Sequence, residues 1–398
     1  MIFNTFAYFI LFLVPAAVLF RCVRPSAQPW VCLLFGAGFF VFFSLTQIGG
    51  VAGAFCLLIF VWESVFSRLY RPGSKICFIG IAQALVFLIV FKYWNFFTGL
   101  VYGSGKLNPL AWTGAFLPLG ISFFTFEFIH YAVDRYRGTA PAGKFGEYMS
   151  FILFFPTMVA GPIKRYQDFR PKLIQPSLAW DLDWELGMTR ILAGLAKKFV
   201  VADLLTALTN HLNQTDIAHA HRWVLPIWLF AYGMKIYFDF SAYSDIAIGS
   251  SRLFGIKVPE NFDWPYLRTN ISDFWQHWHM SLYRWLVDYV FIPLGGSRTT
   301  QPRVYLNVLI TMFLSGLWHG AGLNFLVWGL WHGMLLSVHR MWTRRRPVAA
   351  KGDTADPGVT FAKLTSWAFT FLMVNLGWAF FCMDLPTATF FFRRLIFG

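Results

Sequence analysis

The stretch ICFIGIAQALVFLIVFKYWNFFTGL, Ile76–Leu100, runs for 25 residues with a single charged side chain, Lys92. A helix needs about 20 mostly apolar residues to cross the hydrocarbon core of a bilayer, and this run reaches that length unaided. Comparable runs recur on both sides of it. Upstream lie Phe6–Phe20, Trp30–Phe43 and Val51–Phe66. Downstream lie Leu117–Val133, Leu186–Leu208, Trp223–Ile248, Val304–Trp318, Asn324–Val338 and Phe361–Cys382. Some of these reach spanning length only with their flanking residues. Composition agrees, with 57% hydrophobic and only 13% charged residues, about half the charge of a soluble domain. The expected fold class is all-α: a polytopic integral membrane protein with about ten or more transmembrane helices, in one integral domain over residues 1–398.

The formal net charge is +14, which by itself would suit a nucleic-acid partner. Its distribution argues against one. Arg21 and Arg24 follow the first run, and Arg68, Arg71 and Lys75 follow the third. Arg135, Arg137, Lys144, Lys164, Arg165, Arg170 and Lys172 follow the fifth, Arg252 and Lys257 the seventh, and Arg344, Arg345, Arg346 and Lys351 lie near the end. Turns such as Gln47–Gly50 and Val101–Pro109 are nearly free of basic residues. Lysine and arginine in short loops mark the cytoplasmic side. The alternation therefore predicts an extracytoplasmic N-terminus, with the 135–172 and 252–303 regions inside, where they meet anionic membrane lipids. Met1 opens the first run with no basic stretch before it and no small-residue cleavage site after it, so that run reads as a span and not a cleaved signal. Cys22, Cys32, Cys56, Cys77 and Cys382 lie in or beside apolar runs without pairing or metal spacing and read as small packed hydrophobes. The charged, Pro- and Gly-bearing Thr343–Val359 reads as a cytoplasmic loop.

Two segments break the pattern. Glu147–Gly161 (EYMSFILFFPTMVAG) is apolar but short and holds Pro156. Phe262–Arg298 is rich in Trp and Tyr yet carries Asp263, Arg268, Asp273, His277, His279, Arg284 and Asp288. Polar or non-helical backbone at membrane depth survives only where protein or a water-filled cavity covers it, so both read as re-entrant elements, with an amphipathic surface helix as the alternative. Ionisable residues inside spans are functional candidates by default. Glu127 and His130 stand i, i+3 on one helix face, and Lys235 and Asp239 stand i, i+4, each spacing allowing the pair to satisfy itself; Asp245 extends the second stripe beside Ser241 and Ser244. His319 stands among Gly316, Gly320 and Gly322, which allow close approach and a helix break. His332, thirteen residues on, would point about 140° away on one continuous helix and reads as a hydrogen-bonded core residue. His277 and His279, two apart in HWH, would point about 160° apart on a helix. No HxxxH, GxGxxG or P-loop accompanies them, so neither a metal nor a nucleotide cofactor is expected.

Three long motifs carry a resemblance. FFPTMVAGPIKRYQDF (Phe154–Phe169), the run Phe238–Arg298 containing FWQHWHMSLYRWLVDYVFIPLGG, and SGLWHGAGLNFLVWGLWHG (Ser315–Gly333) resemble the membrane-bound O-acyltransferase family. LPLGISFFTF (Leu117–Phe126) belongs to the same pattern, and the likeness runs from about Leu117 to Gly333, nearest the family's bacterial polysaccharide branch. The resemblance implies acyl transfer from a cytosolic thioester, such as acetyl-CoA or an acyl-carrier thioester, with an acceptor polysaccharide outside the bacterial inner membrane. It implies His319 as the hallmark histidine and His279, in WHMS, as the second. Trp278, Ser281 and Trp318 become candidates for lining the donor tunnel. It also implies a separate extracytoplasmic partner of the SGNH-hydrolase type. Relatives in the alginate branch continue past the position of Gly398 and carry arginine where this chain has Cys382. The family assigns no role to Glu127, His130 or His277 that these motifs identify. The chemistry fits the residue, because a neutral imidazole takes the proton of an attacking hydroxyl near neutral pH. Transfer of D-alanine to a teichoic-acid-type polymer, acylation of lipid or protein, and a proton-coupled transporter are the other readings; a transporter would usually show inverted repeats.

Overall fold

The structure, a computed structural model, describes residues 2–47, 49–103, 108–112, 116–176, 180–345 and 357–398. Every apolar run of the sequence falls mostly on helix, and among the described residues there is no β-strand, only one isolated bridge between Phe262 and Trp278. Among the described residues, four helical stretches are long and apolar enough to cross a membrane by length and composition: Pro25–Thr46, Ala52–Leu69, Ile76–Tyr102 and Phe361–Cys382. Of the expected loop Thr343–Val359, residues 346–356 lie outside the described residues.

Backbone contacts divide the chain into two compact units, Met1–Leu195 with Ala242–Glu260, and Ala196–Ser241 with Asn261–Gly398. The first unit begins with α1 (Tyr8–Cys22), α2 (Gln28–Gln47), α3 (Gly50–Phe66) and α4 (Ile76–Tyr102). Next comes α5 (Ile121–Arg137), which starts at Gly120 and stops at Gly138, both with left-handed backbone. A side chain at Gly120 would press on the Met158 carbonyl oxygen at 2.7 Å as well as strain the backbone. The segment Glu147–Gly161 forms two short helices, α6 (Phe145–Ile152) and α7 (Phe155–Met158), with Pro156 in the first turn of the latter, where its missing N–H costs nothing. Both are buried along their length. The helices α8 (Tyr166–Ile174) and α9 (Trp180–Ala196) follow.

Buried polar groups in this unit find partners other than those the spacing suggested. Glu127 is ion-paired with Lys164, not satisfied by His130. Lys164 also lies over the rings of Phe151 and Phe169, 4.5 and 5.6 Å from their centroids. His130 places Nδ1 3.2 Å from the Phe126 carbonyl and accepts from the Tyr166 N–H through Nε2 at 3.2 Å. The i, i+3 spacing sets both on one face, but Glu127 is held by Lys164 and His130 by the Phe126 carbonyl and the Tyr166 N–H. Arg170 donates to Glu147 at 2.6 Å, and Arg190 bridges Asp245 at 2.6 Å and Glu260 at 2.5 Å. Asp245 therefore closes its own ion pair and does not extend a Lys235–Asp239 stripe.

The second unit holds α10 (Asp203–Thr209) and α11 (Gln214–His219). The long α12 (Leu225–Leu253) belongs to this unit as far as Ser241. Here the expected Lys235–Asp239 pair is absent. Asp239 is bound by Lys198 at 2.8 Å, which also holds Asp203 at 2.7 Å, while Lys235 donates to the Thr209 hydroxyl at 3.2 Å. The remaining helices are α13 (Ile271–His277), α14 (Met280–Leu286), α15 (Gln301–His319), α16 (Leu323–Arg345), α17 (Pro357–Cys382) and α18 (Leu385–Phe397). Their core is aromatic: Phe274, Trp275, Trp278, Trp328 and Trp378 pack with Met312, Val374 and Phe391. Of the cysteines, Cys32, Cys56 and Cys77 are buried and Cys382 half-buried as expected, whereas Cys22 is exposed.

Candidate functional site

His319 ends α15, and the chain turns through Gly320–Gly322 before α16 starts at Leu323. The turn explains how His319 and His332 share surroundings despite their separation. On one continuous helix they would diverge; with the helix broken, both rings stack edge-on against Trp328, each at 5.0 Å between centroids. The glycines serve this hairpin. A Cβ on Gly316 would collide with the Phe325 carbonyl, one on Gly320 with the Phe325 ring, and one on Gly329 with the Met312 carbonyl. Gly316, Gly320 and Gly329 thus let α15 and α16 lie in close contact.

The half-buried His319 imidazole is bounded by Trp318 at 4.6 Å, Trp328 at 5.0 Å and Phe381 at 5.0 Å, all edge-to-face. Edge-to-face contacts of this kind pack apolar surface around the ring. Trp318 continues to the second histidine, with its ring 6.1 Å from that of His279. His319 and His279 therefore flank one indole.

His279 is held differently. The HWH stretch does not lie on one helix; it is the break between α13 and α14, with Trp278 extended and His279 in left-handed backbone at φ 44°. A β-substituted residue in that conformation costs of order 1–3 kcal/mol and persists where its surroundings over-determine it. Those surroundings are residues 261–263, which run antiparallel to 277–280. Met280 N–H donates to the Asn261 carbonyl at 2.9 Å and Asp263 N–H to the His277 carbonyl at 3.1 Å. The ring of His279 is 1% exposed, edge-on to Phe240 at 4.7 Å. Its Nδ1 lies 3.4 Å from Asn261 Oδ1, and its Nε2 is buried without a hydrogen-bond partner. The neighbouring His277 faces other groups: its Nδ1 meets the Asp273 carbonyl at 2.8 Å and carboxylate at 3.1 Å, and its Nε2 lies 3.6 Å from Asp263. It forms part of a partly exposed charged cluster with Arg268.

His332 is fully buried, as expected, but it is not hydrogen-bonded; neither ring nitrogen has a partner, and the ring rests on Trp275, Trp328 and Trp378. Ser281 donates its hydroxyl to Asn261 Oδ1 at 2.6 Å. A cavity of about 310 Å³ opens beside this cluster, lined by Trp275, Tyr283, Met312, His339, Arg340 and Thr343 among others. Trp278, Ser281 and Trp318 are not among its lining residues. Sequence reasoning missed Asn261, Trp328 and Phe381. Asn261 and Phe381 lie 18 and 62 positions from the histidines they touch, His279 and His319, and carried no signal of their own. Trp328 lies inside the Ser315–Gly333 motif but is not singled out there.

A sequence model of MBOAT, the membrane-bound O-acyltransferase family, matches residues 37–381. The chain is 38% identical over 317 residues to the probable alginate O-acetylase AlgI of Pseudomonas aeruginosa, covering 78% of this chain and 58% of that one. It is 31% identical over 380 residues to the peptidoglycan O-acetyltransferase of Helicobacter pylori, covering 86% and 68%. It is 31% identical over 313 residues to the teichoic acid D-alanyltransferase of Bacillus subtilis, covering 73% and 76%. The chain spans about three fifths of the length of the alginate relatives it matches.

Proposed function

The chain belongs to the membrane-bound O-acyltransferase family, and on that premise we propose that it is an O-acetyltransferase serving an extracytoplasmic polysaccharide. The observation that carries this reading is the placement of His319 and His279 on either side of Trp318, inside an aromatic enclosure in a membrane protein. The names of the O-acetylating relatives favour acetyl over D-alanyl, and polysaccharide over lipid or protein.

In the proposed reaction a hydroxyl oxygen attacks the carbonyl carbon of an acetyl thioester. His319 takes the hydroxyl proton, the C–S bond breaks, and the proton returns to the departing sulfur, leaving an ester and a thiol. General-base help of this kind contributes about 10²–10⁴-fold. The aromatic wall holds bulk water away from the thioester, and His279 binds or orients the reacting group. The donor enters from the cytoplasm through the cavity beside Trp275, whose volume of about 310 Å³ is at the small end of ligand pockets. Arg340 and His339 at its wall suit the phosphates of coenzyme A or of a carrier's pantetheine arm. Arg344 and Arg345 at the end of α16 support a cytoplasmic mouth by the positive-inside rule, in a bacterial inner membrane with the N-terminus on the opposite side. A separate extracytoplasmic partner of the SGNH type completes transfer to polymer. No metal or cofactor takes part.

The test is purified protein in liposomes given acetyl-CoA and a hydroxylated oligosaccharide. Release of free thiol is expected, with little turnover of long-chain acyl-CoA, and acetylated sugar is expected once the extracytoplasmic partner is added. Solute movement without thioester cleavage would overturn the reading in favour of a transporter, and preferential use of a D-alanyl thioester would move the chain to the teichoic-acid reaction.

A further inference from the structure

Three donors converge on one oxygen at the break between α13 and α14. Asn261 Oδ1 receives the Ser281 hydroxyl at 2.6 Å and the Ser281 backbone N–H at 3.2 Å, and lies 3.4 Å from Nδ1 of His279. Asn261 is fully buried and its backbone carbonyl also receives the Met280 N–H at 2.9 Å. The two ends of an asparagine amide are told apart by what they face. Here the choice is forced: a backbone N–H only donates, so the atom of Asn261 facing Ser281 N–H is the oxygen. An oxygen accepts, so the His279 nitrogen beside it is the one carrying hydrogen. A neutral imidazole has one N–H, which leaves Nε2 with a bare lone pair. That atom is buried and unpartnered. A buried polar atom without a protein partner calls for an explanation, commonly a catalytic or binding role.

We propose that Asn261 is a positioning residue: its side-chain carbonyl fixes His279 as the Nδ1–H tautomer, so that Nε2 meets the occupant of the enclosure only as a hydrogen-bond acceptor. The occupant is thus an X–H donor at that point, which under the acyl-transfer reading means the acceptor hydroxyl or the departing thiol and excludes the thioester carbonyl oxygen. The inference rests on that reading for the identity of the occupant, but not for the tautomer. The left-handed backbone at His279 has a role in the same arrangement. It turns the chain so that Nδ1 faces Asn261 while the ring edge faces Phe240 and Trp318.

The experiment is ¹⁵N-histidine NMR of the full chain in phosphatidylethanolamine–phosphatidylglycerol vesicles, with His279 assigned by its loss in His279→Gln, run beside acetyl transfer on the same samples. The wild type is expected to show Nδ1 protonated and Nε2 bare at His279. Asn261→Asp keeps the acceptor oxygen and should keep both the tautomer and transfer to within about tenfold of wild type, well short of the 10²–10⁴-fold that a base contributes. Asn261→Leu removes it and should mix or invert the tautomer, with transfer falling by about 10²–10⁴-fold. A wild-type His279 protonated at Nε2 overturns the proposal, and so does a folded Asn261→Leu protein with the tautomer unchanged. Should Asn261→Leu not fold, the wild-type and Asn261→Asp spectra decide, since Nε2 protonation in either is contrary. If the wild type shows the stated tautomer yet moves no acetyl group, the acyl-transfer reading fails and the assignment of Asn261 stands.

Discussion

Replacing Glu127 by glutamine keeps the shape of the side chain and removes its charge. In the first unit this strands Lys164, whose side chain is 2% exposed and whose ion-pair partner is Glu127. The rings of Phe151 and Phe169 lie under the ammonium before and after the change, so they offset nothing. Breaking a buried pair by removing one partner costs about 3–5 kcal/mol, because the survivor stays buried and uncompensated. At 1.4 kcal/mol per tenfold that is roughly 10²–10⁴ in the folded-to-unfolded ratio. Removing both charges is a different perturbation, since an apolar replacement of a whole pair is often neutral. Glu127→Gln should therefore lower membrane abundance and the thermal midpoint in detergent, and Glu127→Gln with Lys164→Met should recover most of the loss. The readout is the folded fraction after a heat step, by size-exclusion chromatography, with acetyl transfer per folded molecule measured beside it. A single variant as stable as wild type, or a double variant no better than the single, refutes the reasoning. A well-folded Glu127→Gln protein that has lost turnover places Glu127 in the chemistry.

Gly320→Ala should cost about 1–3 kcal/mol through overpacking against Phe325 and lower acetyl transfer, with Phe325→Leu restoring part of both; an unaffected Gly320→Ala protein would contradict the tight hairpin. Lys198→Met should destabilise far more than Lys235→Met, since Lys198 holds two carboxylates and Lys235 a single hydroxyl worth about 1 kcal/mol; equal shifts in thermal midpoint would restore the i, i+4 pairing. A cysteine at Arg344, in a Cys22→Ser background, should resist an impermeant maleimide in intact cells and label after lysis; labelling in intact cells would invert the topology and the direction of transfer.

The helices were legible because hydrophobic content alone marks a span, and each run quoted from the sequence lies mostly on helix. The broken segments were legible for a related reason: Pro156 in Glu147–Gly161 and the charged residues of Phe262–Arg298 are incompatible with an unbroken lipid-facing helix. Pairings of buried charges were not. Spacing says which residues share a face, but a side chain as long as that of Lys164 or Lys198 reaches across to another helix, so local candidates such as His130 and Lys235 lose to distant ones. The glycines around His319 announced a close approach without saying to what, and the answer is Phe325 and the neighbouring helix. Asn261 was invisible because nothing in PENF distinguishes a capping asparagine from one that orients a ring. That distinction depends on a fold-back bringing residue 261 against residue 279.

Acyl transfer by His319 is tested by polysaccharide acetylation in cells making His319→Ala, with membrane abundance and folded fraction determined in parallel. The ring is half-buried against Trp318, Trp328 and Phe381, and the parallel abundance and folding measurements separate a loss of chemistry from a loss of packing. Acetylation should fall by at least about 10²-fold, the lower range for loss of a general base. Near-normal acetylation by His319→Ala at normal abundance would contradict the account.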